Sequence, residues 1–83
     1  MHYVYLLQSQ KDGGYYIGYS SDLKKRIEQH NLVLVDSTKN RRPIKLMYYE
    51  SYEKDDLARE RESKLKQFGS AYVGLLKRLK LRA

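Results

Sequence analysis

Five residues of this chain, Tyr5, Tyr16, Arg26, His30 and Glu62, are of the types that metal-assisted hydrolysis of a phosphodiester uses. Such a reaction needs a deprotonated water, stabilisation of negative charge on the phosphoryl oxygens, and help for the departing oxygen. The two phenols lie in short tyrosine-rich segments near the start, Tyr3-Val4-Tyr5 and Tyr15-Tyr16-Ile17-Gly18, and the other three residues follow along the chain.

Spacing predicts where the later three point. Leu23, Arg26, Ile27 and His30 fall at i, i+3, i+4 and i+7, so a helix burying Leu23 and Ile27 carries Arg26 and His30 on the same stripe. Ala58, Arg61, Glu62 and Leu65 repeat the pattern on a second helix, with Phe68 extending it. A carboxylate on such a stripe is costly to bury unless it is paired or metal-bound. An ion pair between Arg26 and Glu62 would satisfy that demand without any chemistry. Three ionisable groups on inward stripes point instead to a site.

The elements that must position them read as strand, strand, helix, strand, helix, helix. Tyr3–Leu7 and Tyr15–Tyr19 are β-rich runs joined by the turn residues Lys11-Asp12-Gly13-Gly14, which predicts an antiparallel hairpin. Ser20, Ser21 and Asp22 offer helix-start chemistry before a stripe that ends near His30-Asn31. Leu32-Val33-Leu34-Val35 suggests a short strand and residues 36 to 43 a basic loop. Pro43 opens a third strand, Ile44 to Tyr52, and Asp55-Asp56 begin the second long helix, where the dipole favours acids. Gly69-Ser70 separates it from a last helix with Tyr72, Leu75, Leu76 and Leu79 on its apolar face. The expected class is α/β, of the α+β kind, with the order β-β-α-β-α-α.

A chain of 83 residues suits a single domain, 1–83, with a modest core. No cysteine is present, which excludes disulfides and thiolate zinc sites, and two histidines are too few for a histidine cluster. Oxygen ligands and a hard cation stay open. Neither a basic leader before a long apolar stretch nor an apolar run of membrane-spanning length occurs, so a cytoplasmic location is expected. Seventeen Lys and Arg against ten Asp and Glu give a net charge of +7. Residues 63 to 83 carry Lys64, Lys66, Lys77, Arg78, Lys80 and Arg82 without one acid, and Lys39, Arg41, Arg42 and Lys45 form a second cluster. That asymmetry suits a polyanion, because each phosphate neutralised releases counterions.

The ordered set Tyr-Val-Tyr-Leu-Leu-Gln-Ser, Asp-Gly, Tyr-Ile-Gly-Tyr-Ser, Asp-Leu-x-x-Arg and His-Asn resembles the GIY-YIG nuclease family. Ser37-Thr38-Lys39, Arg42-Pro43, Leu46-Met47-Tyr48-Tyr49-Glu50 and Arg61-Glu62-x-x-Leu65-Lys66 continue it over nearly the whole chain. The likeness is to the small single-domain bacterial branch, related to the amino-terminal nuclease domain of the excinuclease C subunit. It implies a small three-stranded antiparallel sheet flanked by helices, and a DNA endonuclease that acts in repair, recombination or mobile-element processing. By the same resemblance Glu62 holds one Mg²⁺ or Mn²⁺, Arg26 donates to phosphoryl oxygens, Tyr5 takes the proton of water, and His30 and Tyr16 orient that network. A phenol is a poor base at neutral pH, so Tyr5 needs activation by positive charge or hydrogen bonding. Lys39, Arg41, Arg42, Lys45 and Lys66 are expected to track the nucleic-acid backbone. A protein this short has no recognition module of its own, so sequence specificity would come from a protein partner.

One departure stands out: relatives usually carry a glycine within two residues of His-Asn, where this chain is continuously apolar from Leu32 to Val35. Each site residue also has a plainer reading. Tyr5 and Tyr16 read as sheet packing residues, Gly18 as a strand glycine allowing close approach or a bulge, and His30 as a helix-end cap. The alternatives to a nuclease are a basic DNA- or RNA-binding module that cuts nothing, and a small RNA-associated protein stacking bases on Tyr19, Tyr49 and Tyr72. A nuclease requires the five site residues to meet; a binder does not.

Overall fold

The computed structural model describes residues 1–32 and 42–81. Strands β1 (His2–Ser9) and β2 (Tyr15–Ser20), helix α1 (Leu23–Asn31), strand β3 (Ile44–Tyr52) and helices α2 (Asp55–Lys66) and α3 (Ser70–Arg78) follow in the expected order. Of the apolar run expected as a short strand, only Leu32 is described; it caps α1 and is exposed. Residues 33 to 35 of that run, and the basic Lys39 and Arg41, lie outside the described residues.

All three strands pair antiparallel in the order β2-β1-β3, which makes β1 central. Its alternation assigns two faces. Val4 and Leu6 join Ile17, Ala58, Leu65, Leu75 and Leu76 in a core under α2 and α3. Tyr5 and Leu7 point the other way and pack with Ile44, Tyr16, Leu23, Ile27 and Leu46 beneath α1. A register shift between Leu6 and Leu7 against β3 leaves one extra residue on β3, a bulge that keeps Leu46 on the α1 face.

The hairpin is organised by Ser9, whose buried hydroxyl accepts the Lys11 and Asp12 amides at 3.1 and 3.2 Å. Gly13 adopts φ +76°, and Asp12 accepts the Gly14 amide at 2.8 Å. Asp22 caps α1 by accepting the Lys25 amide at 3.2 Å. At its other end, the Asn31 side chain accepts the Ile44 amide at 2.9 Å and donates to the Ile44 carbonyl at 3.3 Å, tying α1 to the start of β3. Helix α2 carries Asp55 and Asp56 in its first turn and buries Ala58 and Leu65. It stops at Lys66, so Phe68 does not extend its apolar stripe; that ring is 58 % exposed on a left-handed residue of φ +55°. The Arg26–Glu62 pair, the plain alternative to a site, does not form. Glu62 binds Lys66 one turn along its own helix at 3.3 Å, while Arg61 reaches Glu50 at 3.0 Å.

Candidate active site

Tyr5 is the centre of the site because it sits on the central strand yet points toward α1. Across the hairpin it faces Gly18. A Cβ on Gly18 would lie 2.3 Å from the Tyr5 ring and hydroxyl, so the glycine is there for space: the phenol occupies the volume a side chain would fill. Tyr5 is buried, and its hydroxyl ends between two side chains of α1. His30 Nε2 lies 3.2 Å away, and Arg26 Nε donates to the same oxygen at 3.4 Å. The helical stripe that predicted Arg26 and His30 facing inward therefore meets the phenol on one atom.

The electrostatics follow from that crowding. Burial pushes the Tyr5 phenol above its ordinary value of 10.0; the Arg26 hydrogen bond and charge pull it down, and the Glu62 carboxylate pushes it up. The balance leaves the phenol raised, so Arg26 alone does not supply the activation expected of a base. His30 moves the other way. Burial, then the Arg26 guanidinium, hold its imidazole below 6.5, so the ring is neutral at pH 7 and able to accept a proton. Arg26 also donates to Gln29 Oε1 at 3.3 Å, which orients the guanidinium along α1.

Tyr16 stands on edge strand β2 and Glu62 on helix α2. Tyr16 shares the face of Tyr5 and packs against the same cluster. Glu62, on α2, is half-buried with 22 % of its side chain accessible, close enough for its charge to bear on Tyr5. Among the described residues no three His, Asp or Glu side chains gather, so no protein cage for a metal exists there. A lone, half-buried carboxylate fits a hard cation that keeps most of its waters and takes its other ligands from a phosphate.

The basic residues do not share one surface. Lys66 flanks Glu62, and Arg42 is exposed and donates to the Asn31 carbonyl at 3.1 Å, near the end of α1. Lys45 stands opposite Gln8, on the sheet face away from Tyr5. Of the three rings that base stacking by an RNA-associated protein would need exposed, Tyr49 is exposed but Tyr19 and Tyr72 are half-buried. Tyr19 donates to Asp55, lies under the Arg59 guanidinium at 4.6 Å and is 3.0 Å from His2.

Sequence reasoning missed a second polar cluster. Glu50 on β3 accepts from Arg61, from Tyr48 at 2.6 Å and from Tyr52, and Arg78 of α3 donates to the Tyr48 hydroxyl at 3.1 Å. The alternation of Tyr48, Glu50 and Tyr52 on one strand face was its only signal, and it reads equally as a strand with one wet side.

Comparison with known proteins gives consistent matches. Residues 1–73 match the family model of the GIY-YIG catalytic domain. A UPF0213 protein of Staphylococcus saprophyticus is 41 % identical over 68 residues, 81 % of this chain and 82 % of that one. A UPF0213 protein of Halobacterium salinarum is 36 % identical over 72 residues, 86 % of this chain and 92 % of its own. The solution NMR structure of a UPF0213 protein from Bacillus halodurans superposes with a TM-score of 0.58 at 30 % identity, over 95 % of this chain and 84 % of that one.

Proposed function

Because this chain belongs to the GIY-YIG family of nuclease domains, we propose that it is a divalent-metal-dependent DNA endonuclease, acting in repair, recombination or mobile-element processing, whose catalytic residues are Tyr5, Tyr16, Arg26, His30 and Glu62. The observation that carries this is the meeting of His30 and Arg26 on the Tyr5 hydroxyl over a glycine that leaves room for the ring. A non-cutting binding module has no need of a buried phenol, imidazole and guanidinium converging on one oxygen.

Tyr5 and His30 act as a pair. The neutral imidazole receives the phenolic proton at Nε2 while the Tyr5 oxygen takes a proton from the attacking water, so the raised phenol never has to ionise alone. Arg26 keeps Nε on Tyr5 and Nη1 on Gln29, which leaves Nη2 for a phosphoryl oxygen. Tyr16 packs beside Tyr5 and limits the water's approach. Glu62 is the residue that holds Mg²⁺ or Mn²⁺, and such an ion supplies charge neutralisation at the phosphate and the leaving oxygen. Arg42 and Lys66 flank this face and meet the backbone of the substrate.

The test is cleavage of labelled single-stranded, duplex, flap and branched DNA at low salt, with and without Mn²⁺, beside Glu62→Ala. Metal-dependent cleavage that disappears in Glu62→Ala is expected. Binding to all four substrates with no cleavage by the unaltered protein would favour the non-catalytic basic module.

A further inference from the structure

Phe68 takes the left-handed position that closes α2, its amide donating to the Leu65 carbonyl at 3.1 Å, as Lys80 does after α3. It follows the C-terminal cap of α2 at φ +55°, a conformation that glycine adopts at no cost and a bulky side chain adopts only under strain. Its ring is nevertheless 58 % exposed, so burial does not compensate that strain. The ring is held by an edge-to-face contact with Tyr72, at 4.9 Å and 88°. Strain retained to present an exposed, oriented ring is a mark of a binding surface.

Its surroundings say what would bind. Phe68 lines a groove of about 360 Å³ with Tyr15, Tyr16, Ile17 and Lys66. The groove wraps the edge of β2, since Tyr15 packs on the α2–α3 face and Tyr16 on the face of Tyr5. Lys66 joins it to the candidate active site by pairing with Glu62 at 3.3 Å. Residues 63 to 83 carry six cationic side chains and no acid. A small aromatic slot with a lysine at its rim suits one planar base and its phosphate better than an apolar patch of a protein partner.

We propose that Phe68, Tyr15 and Lys66 form a subsite for an unpaired nucleobase of the DNA substrate, beside the candidate active site. The base stacks on Phe68, Lys66 meets its phosphate, and Tyr16 joins this subsite to the reacting centre. This rests on the nuclease reading for its substrate but not for its test. A subsite for one splayed base makes strands with unpaired nucleotides better ligands than continuous duplex.

The experiment is binding in EDTA, where no cleavage occurs, of a single-stranded oligonucleotide and of the same strand bearing abasic nucleotides. The unaltered protein should prefer the intact strand by about 5- to 150-fold, the range of one stacked base. Phe68→Gly, and Phe68→Asn as a second variant that tolerates the left-handed backbone, should bind both strands equally, whereas Phe68→Trp keeps the preference. Absence of a preference in the unaltered protein, or its survival in Phe68→Gly, overturns the proposal. So does a concentration-dependent dimer lost in Phe68→Gly with DNA affinity unchanged, which would make a second copy the occupant. Cleavage that survives Glu62→Ala would sink the metal-site reading and leave the base preference standing, so the two failures are distinguishable.

Discussion

At the scale of single residues, Gly18 controls the site more directly than any charged group. Its lack of a side chain is what lets the Tyr5 ring lie between β2 and α1 with its hydroxyl on His30 and Arg26. Tyr5 is 2 % exposed and has nowhere to retreat. Gly18→Ala should therefore cost about 1–3 kcal/mol of stability through overpacking and abolish cleavage by moving the phenol off His30. Urea denaturation alongside the cleavage assay measures both. A variant as stable and active as the parent would show that the ring is not held in this position. The plain reading of Gly18 as a strand glycine permitting close approach is thus correct, and what approaches is the candidate base.

At the scale of elements, the Glu50 cluster joins β3 to α2 and α3. Burial pushes the Glu50 carboxyl up, but hydrogen bonds from Arg61, Tyr48 and Tyr52 outweigh it and hold the group below 4.5. A carboxyl depressed in the folded state binds fewer protons than in the unfolded chain, so its contribution is present above pH 4.5 and is lost as pH falls through the lower folded value. Glu50→Gln should cost about 1–3 kcal/mol at pH 7, because Arg61 loses its charged partner. That difference should narrow as pH drops below 4.5. Urea melts of both proteins at pH 7 and pH 3.5 decide it; a gap that is constant with pH would mean that the carboxylate charge does not carry the coupling. The cluster was hard to see in sequence because it needs side chains from three elements, whereas the pairing of Arg26 with His30 needed only one helix.

At the scale of the whole molecule, the net charge of +7 sets the terms of the proposed DNA binding. With about four phosphate contacts, affinity should fall on the order of 100-fold between about 50 and 200 mM salt. Lys66→Ala, beside Glu62, should reduce the slope of log affinity against log salt by about 1. Lys45→Ala, on the face opposite Tyr5, should change it less. Fluorescence anisotropy across a salt series gives both slopes, and the reverse ranking would move the DNA path from Glu62 toward β3.

Periodicity and turn chemistry are local, and they determined the element order, the hairpin, a helix start among Ser20, Ser21 and Asp22, and the inward direction of Arg26 and His30. Motif order likewise determined the family, since its segments run along one chain. Partners across elements depend on distances that no local pattern encodes. Only the tertiary structure decided that Glu62 pairs with Lys66 rather than Arg26, that burial leaves the Tyr5 phenol raised with His30 on its hydroxyl, and that Lys45 faces away. The same holds for Phe68. Its helical spacing with Leu65 predicted burial, but α2 ends at Lys66, and the left-handed residue that follows turns the ring outward into the groove beside Tyr16.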